Sequence, residues 1–422
     1  MRTFKSWGRT RVSESRLVKV PESGARGNLC VGSGLSYGDS CLNSQGNILL
    51  SAFDDNLLSF SEESETISAE AGCTFDQLLR FLVPKGFFVP VSPGTKFVTL
   101  GGAIANDVHG KNHHKDGSLG PWIQGLVLER SDGKFACDRS RNPELFAATI
   151  GGLGLTGRIV SAELRLKRIP SAYVDQRIER FWDLEEFFEI SQRESASDYT
   201  VAWLDQASSK SDGRGLFISG NFSEEGGLEA HGAPRFQVPV DLPEKVLSPV
   251  TMRLFNSAYY NQQLVKVSET QVHYDSFFYP LDKVGGWNRI YGRRGFYQFQ
   301  CVIPREDALR GLREILRVVT SSGHVSFLSV LKFFGDRQSP GLLSFPRPGL
   351  TVSLDFPNRG EETSALFKVL YDLVLELRGR VYPAKDALMS AEHFAAAFPE
   401  YGAFKEFRDP RFSSDFIRRV AE

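Results

Sequence analysis

The chain has 422 residues, with 50 Lys and Arg against 51 Asp and Glu, 41% hydrophobic residues and 24% charged ones. That length exceeds what one hydrophobic core serves, so at least two domains are expected. The balanced charge excludes a global field that would recruit nucleic acid. Five scattered cysteines, Cys30, Cys41, Cys73, Cys137 and Cys301, form no CxxC pair, which argues against structural zinc and for a reducing, cytoplasmic compartment. The opening residues hold no apolar signal core and no stretch approaches a membrane span, so neither a leader nor a transmembrane helix is expected.

In chain order, Leu17 to Val20 reads as a short strand stopped by Pro21, and residues 28–31 as a buried strand. The second strand breaks at Gly32-Ser33-Gly34-Leu35-Ser36-Tyr37-Gly38-Asp39. A Rossmann dinucleotide turn requires a helix directly after the glycines. Here another strand, 47–50, follows instead, so that reading fails on context while phosphate cradling by loop amides stays open. An alternating strand over 66–72 leads to an amphipathic helix over 74–82, with Thr74 as N-cap. A strand over 87–91 then delivers the chain to residues 92–120, which carry six glycines and three histidines. Small residues around Gly101-Gly102-Ala103 allow a flat or phosphorylated ligand to lie against backbone N–H groups. A solvated glycine-rich surface loop is the plainer reading of the same stretch.

Ser131-Asp132-Gly133 between apolar runs predicts a hairpin, residues 143–150 a helix, and 158–168 a long strand closed by Pro170. This first part reads as an α+β module whose two glycine-rich loops face one elongated ligand. Beyond Ser171, strands are expected over 200–205 and 215–220, and residues 222–260 read as a loop or lid. Residues 295–304 predict a strand in which Gln298 and Gln300 share one face. A helix over 307–320, strands over 326–334 and 349–356 and a helix over 362–377 follow, suggesting a sheet with helices on one face that roofs the first module. The tail holds Tyr382-Pro383-Ala384-Lys385-Asp386 and short helices over 391–397 and 402–406, and no internal repeat is visible.

The two glycine loops, Pro93-Gly94-Thr95 and His109-Gly110-Lys111-Asn112-His113-His114 resemble the PCMH-type FAD-binding module of the vanillyl-alcohol oxidase superfamily. With Gly151-Gly152-Leu153-Gly154, Trp287-Asn288-Arg289, Ser344-Phe345-Pro346 and Ala384-Lys385-Asp386, the resemblance extends over nearly the whole chain and is nearest the decaprenylphosphoryl-β-D-ribose 2-oxidase family. It implies an FAD-binding domain over 1–170, a substrate domain over 171–378 built on an antiparallel sheet, and a segment 379–422 returning to the FAD domain. It implies oxidation of a sugar hydroxyl, the 2-hydroxyl of a polyprenyl-phosphate ribose, as the first half of an epimerisation. A separate short-chain NAD(P)-dependent reductase would complete the reaction, and peripheral contact with the inner membrane face would follow from a lipid-linked substrate. An aldonolactone or alditol oxidase, or a flavin-fold binding protein without turnover, are the alternatives.

The resemblance assigns cofactor contacts to Val31, Gly32, Ser33, Gly34, Leu35, Ser36, Tyr37, Gly38 and Asp39 in the first loop. To these it adds Gly94, Thr99, Leu100, Gly101, Gly102, Asn106, Asp107, Val108, His109, Ile159 and Tyr382. Leu35 stands where relatives carry a histidine bonded to the flavin, so non-covalent FAD is expected. Catalysis falls to Lys385, Tyr37 and His109, and substrate contacts to Lys111, Gln300, Lys332, Trp203 and Ser353, the last where the family has a cysteine. Plainer readings stand beside these: Lys385 a surface lysine next to Asp386, Tyr37 and Tyr382 core tyrosines, Gln300 a polar strand edge. Lys332 in an apolar strand is costly to bury without an anionic partner. A metal site from His109, His113 and His114 lacks an acidic or cysteine ligand at usable spacing, so no metal is expected.

Overall fold

The computed structural model describes residues 1–22, 26–208, 212–234, 236–326 and 328–422. Phe327, within the strand expected over 326–334, and Arg235, within the loop expected over 222–260, lie outside the described residues. Three sheets organise the chain. The first runs Arg2–Lys5, Val12–Val18, Asn47–Leu50, Asn28–Val31, and its last three strands are parallel. The second is antiparallel, in the order Leu57–Ser61, Thr66–Glu70, Arg158–Arg165, Ile123–Arg130, Gly133–Asp138. Its hairpin turns at the expected Ser131-Asp132-Gly133. Helix Phe75–Leu82 packs Phe75, Leu78, Leu79 and Leu82 against Ile67, Leu126 and Leu128 of this sheet. Thr74 Oγ1 accepts from Gln77 N while Gln77 Oε1 accepts from Thr74 N, a reciprocal cap of the kind that contributes about 1 kcal/mol.

The third sheet has eight antiparallel strands: Val267–His273, Tyr173–Phe181, Arg214–Phe222, Tyr199–Asp205, Ser329–Phe334, Gly349–Pro357, Phe296–Ile303, Arg380–Val381. It contains one unit used twice. Strand Tyr173–Phe181, helix Leu184–Arg193 and strands Tyr199–Asp205 and Arg214–Phe222 are matched in connection and strand order by Phe296–Ile303, Ala308–Ser321, Ser329–Phe334 and Gly349–Pro357. The two units meet where Ala202 and Trp203 face Leu331 and Val330. Helices Leu184–Arg193, Ala308–Ser321 and Glu361–Glu376 cover one face, burying Leu204, Phe217, Ile303, Leu331, Val352 and Leu354. The opposite face lines the cavity through Val201, Trp203, Val330 and Gln300, while Tyr199 and Phe222 at its other end join the core of the second sheet.

Several expectations change. Residues 222–260 are not all loop: Ser248 caps a helix over Pro249–Asn261, whose Tyr260 packs on Trp203 and Leu216 at the cavity face. The strand expected over 87–91 shortens to Phe87–Phe88, pairing with Lys167–Arg168, because Pro90 has no N–H to continue the ladder. Strands Tyr173–Phe181 and Val267–His273, helix Leu184–Arg193 and the final helix Asp415–Ala421 were not expected at all. The tail joins two parts of the molecule. Arg380–Val381 extends the large sheet, while Ser413 N donates to Asn28 O (2.9 Å) and Ser44 Oγ donates to Asp415 (2.7 Å) in the first sheet's territory.

Candidate active site

Both glycine segments open onto a cavity of about 640 Å³ that runs from the first sheet to the exposed face of the third, within the usual range for a buried small-molecule site. The loop after strand Asn28–Val31 and the short helix Leu100–Ala105 meet edge to edge. Thr99 Oγ1 caps that helix by accepting from Gly102 N, and a Cβ on Gly32 would stand 2.1 Å from this same oxygen. A Cβ on Gly101 would meet the Ala71 methyl at 2.8 Å. Gly34 is left-handed, at φ +66°, which turns the loop back toward the cavity. The amides of Ser33, Gly34 and Leu35 have no backbone partner among the described residues, so a row of donors lines the wall.

The third sheet supplies the opposite wall through its period of two. Gln300, Ser353, Val330 and Trp203 stand in one cross-strand row, with Gln298 and Asp355 in the next row on one side and Lys332 and Thr351 on the other. Intervening residues such as Phe299, Leu331 and Leu354 enter the core instead. Gln300 Nε2 donates to His109 Nε2 (2.9 Å), which assigns the imidazole proton to Nδ1, a buried atom without a partner. His109 sits among the rings of Phe334, Phe345 and Tyr382, and burial holds it neutral, well below the usual imidazole range. His113 accepts from Gly335 N and His114 Nε2 bonds Ser197 O, so the three imidazoles diverge.

Three lysines reach the cavity. Burial pulls Lys111 down to about 7 and Lys332 to about 8, and burial also lowers Lys385. Lys111 Nζ donates to Phe277 O over the Phe277 ring. Lys385 Nζ lies 3.6 Å from the centroid of the Tyr37 ring. The loop that carries it is fixed from both sides, by Tyr37 N donating to Ala384 O and by Tyr382 stacked on Phe345 with centroids 4.5 Å apart. Asp386, the neighbour that a surface lysine would use, is instead bonded to Arg419, Tyr371 and the amides of Leu388 and Met389.

Lys385, Tyr37, His109, Lys111, Gln300, Lys332, Trp203 and Ser353 thus line the same cavity as Val31 to Ser36, Gly94, Thr99, Gly101, Gly102, Asn106, Val108, Ile159 and Tyr382. Four residues assigned to the cofactor stand behind that lining instead. A Cβ on Gly38 would lie 1.4 Å from Asp386 O, so its backbone is pressed against the tail. Asp39, buried, accepts two bonds from the partly exposed Arg419, at 2.7 and 2.9 Å, a pair that locks loop to tail. Leu100 points into the core, fully buried. Asp107, at φ +41°, accepts from Ser118 (2.8 Å), Gly120 N (2.7 Å) and Ser344, holding the second glycine segment to the third sheet's connections.

Residues 19–136 match the FAD binding domain family. The decaprenylphosphoryl-beta-D-ribose oxidase of Mycolicibacterium smegmatis is 34% identical over 427 aligned positions, covering 96% of this chain and 91% of that protein. The chain belongs to this family of FAD-binding PCMH-type oxidoreductases. An uncharacterised Streptomyces coelicolor protein is 30% identical over 82% of this chain and 99% of its own length. The Delta(24)-sterol reductase of Homo sapiens is 30% identical over only 35% of the chain.

The site fits FAD on its own chemistry: the loop amides suit a pyrophosphate approached by backbone, Gly32 and Gly101 let the two glycine segments and Ala71 pack closely enough to form that wall, and Tyr382, backed by Phe345, gives a flat aromatic surface. Two features of the site escaped the sequence. Phe255 and Tyr259 line the cavity from the unexpected helix Pro249–Asn261. Asp355 also faces the cavity; the signal was there, since Thr351, Ser353 and Asp355 alternate as polar residues in an apolar strand.

Proposed function

We propose that the chain oxidises a secondary hydroxyl of a sugar, the 2-hydroxyl of a polyprenyl-phosphate ribose, to the ketone. The observation that carries this reading is the union of polar and apolar surfaces in one cavity. Lys332 and Lys385 offer donors for an anion and sugar hydroxyls and Gln300 an acceptor oxygen, its amide hydrogens being held by His109 and Thr351, while Phe255 and Tyr259 make an apolar mouth beside them. Outside that mouth Val250, Leu254 and Phe255 of helix Pro249–Asn261 are 63%, 66% and 49% exposed, a surface suited to a lipid chain and to peripheral contact with the inner membrane face. No described helix is long and apolar enough to cross a membrane.

FAD, when bound, supplies the hydride acceptor. The chain's residues do the rest. Amides of Ser33, Gly34 and Leu35 would hold the anionic part of the cofactor, Tyr382, backed by Phe345, would lie beside its flat part, and neutral His109 fixes Gln300 at the cavity face. Lys385 orients the hydroxyl and balances the charge that develops on its oxygen. The cofactor is non-covalent on this reading: Leu35 has no nucleophile, and burial pushes the cavity thiols of Cys30 and Cys41 up to about 12, leaving little thiolate. Return of the hydride to the opposite face belongs to a separate short-chain NAD(P)-dependent reductase, since no nicotinamide-type Rossmann turn occurs in this chain. The test is anaerobic bleaching of the holoprotein across polyprenyl-phosphoryl riboses, water-soluble ribose phosphates and aldonolactones. Bleaching by the lipid-linked ribose is expected; bleaching by aldonolactones alone would replace this substrate reading.

A further inference from the structure

Outside the cavity, a second cleft of about 550 Å³ opens between the second sheet and the connection that follows strand Ser329–Phe334. It shares no lining residue with the cavity, and its volume is within the range of small-molecule sites. Its lining is cationic: Arg139, Arg165, Lys167, Arg168 and Arg337 face it with one described carboxylate, Glu65. Strand periodicity gathers two of these, because Leu164 and Leu166 enter the core and Arg165 and Lys167 alternate outward. Lys167 Nζ donates to Asp116 Oδ2 (2.5 Å) and Arg168 Nε to Glu65 Oε1 (2.7 Å), so these two are neutralised. The three arginines that remain are not.

Arg139 donates to Ile123 O (3.0 Å) and Pro121 O (2.8 Å), carbonyls that aim it without cancelling its charge. The guanidiniums of Arg165 and Arg337 have no hydrogen bond or ion pair among the described residues. Arg337 is nonetheless held: its guanidinium carbon lies 4.7 Å from the Trp122 ring centroid, and Trp122 Nε1 donates to Asp116 O at 3.1 Å. A Cβ on Gly117 would come 3.2 Å from Arg337 Cγ, so the glycine makes room for the arginine's stem. Elsewhere on the surface cations are paired off, as Arg177 is with Glu269 and Arg313 with Glu185. Here three like charges converge, and an anion from solution relieves their repulsion. A guanidinium fork matches phosphate oxygens, and one phosphate monoester brings roughly two negative charges, fewer than three arginines call for. We propose that this cleft is a binding site for a diphosphate group, gripped by Arg139, Arg165 and Arg337. It stands apart from the sugar-oxidase reading and survives if that reading fails.

The experiment titrates the FAD-loaded protein by calorimetry with inorganic pyrophosphate, ADP and sulfate at fixed ionic strength, beside Arg165→Ala, Arg337→Ala and Lys332→Met. FAD fills its own diphosphate site in the holoprotein, and Lys332→Met reports binding in the main cavity. Arg165 and Arg337 are exposed, so their variants should fold and keep their FAD. Wild type should bind pyrophosphate saturably, one to one and more tightly than sulfate. Each arginine substitution should weaken that binding about tenfold or more, and Lys332→Met should leave it unchanged. Pyrophosphate should also raise the melting temperature of wild type and fail to raise that of the doubly substituted Arg165→Ala, Arg337→Ala protein. ADP bound more tightly than pyrophosphate assigns the cleft to a nucleotide; ADP bound no more tightly assigns it to the inorganic diphosphate. Absence of saturable binding at millimolar pyrophosphate, or sulfate binding as tightly, would overturn the proposal. So would binding that survives both arginine substitutions or disappears in Lys332→Met.

Discussion

Replacing Lys332 by Met should stabilise the cofactor-free protein while weakening its hold on anionic ligands. The ammonium is desolvated on an apolar strand, and its fall from 10.5 to about 8 measures that strain. At about 1.4 kcal/mol per tenfold change in protonation constant, the charged form costs about 3 kcal/mol, an upper bound because cavity water screens it. An unfolded lysine keeps its proton up to pH 10.5 and the folded one loses it near 8. The unfolded state therefore binds more protons across this window, and wild-type stability rises with pH there. Lys332→Met lacks that term, so its advantage should be largest below pH 8 and vanish near 10.5. Relief should spread to Lys111 and His113, which Lys332 also holds down. Thermal melts of apoprotein from pH 6 to 10.5 read the effect as a Tm gain of a few degrees on the acid side. A variant that is destabilised at neutral pH, or whose difference from wild type does not change with pH, would refute the reasoning.

Three further substitutions separate chemistry from fold. Lys385→Met should keep FAD content and a Tm no lower than wild type, yet slow flavin reduction by substrate roughly a hundredfold, read by anaerobic stopped flow. Gly38→Ala drives a methyl into Asp386 O, 1.4 Å away, and should lower stability by about 3 kcal/mol or abolish soluble expression, visible in melts and yield. Asp107→Ala leaves the donors of Ser118, Gly120 and Ser344 unsatisfied in the interior and should cost about 3–5 kcal/mol in denaturant titrations, with loss of FAD following the loosened glycine segment.

What could be read directly from the residues was whatever obeys a local rule. Thr74 and Gln77 announce a helix start by chemistry alone, and Gln298 and Gln300 announce a shared face by their spacing. Lys332 stood out because one charge in an apolar strand demands an explanation. The helix Pro249–Asn261 escaped because its apolar residues Val250, Leu254 and Phe255 point outward, which blurs the core-facing stripe that signals a helix. Strand Val267–His273 is an edge, exposed over Glu269, Thr270 and Gln271, so no apolar alternation marks it. Asp39 and Asp107 are assigned to the cofactor because they sit inside its motifs; their side chains bond the distant Arg419 and Ser344 behind the cavity lining, and sequence spacing carries no trace of contacts across hundreds of residues.

The measurement that bears most directly on the oxidase reading is a single anaerobic turnover of the FAD-loaded chain with polyprenyl-phosphoryl ribose, followed by mass analysis of the sugar. One equivalent of a product two hydrogens lighter, oxidised at carbon 2, should form for each flavin bleached, with no nicotinamide present. A flavin that stays yellow with this donor, or that bleaches while the ribose keeps its mass, would contradict it.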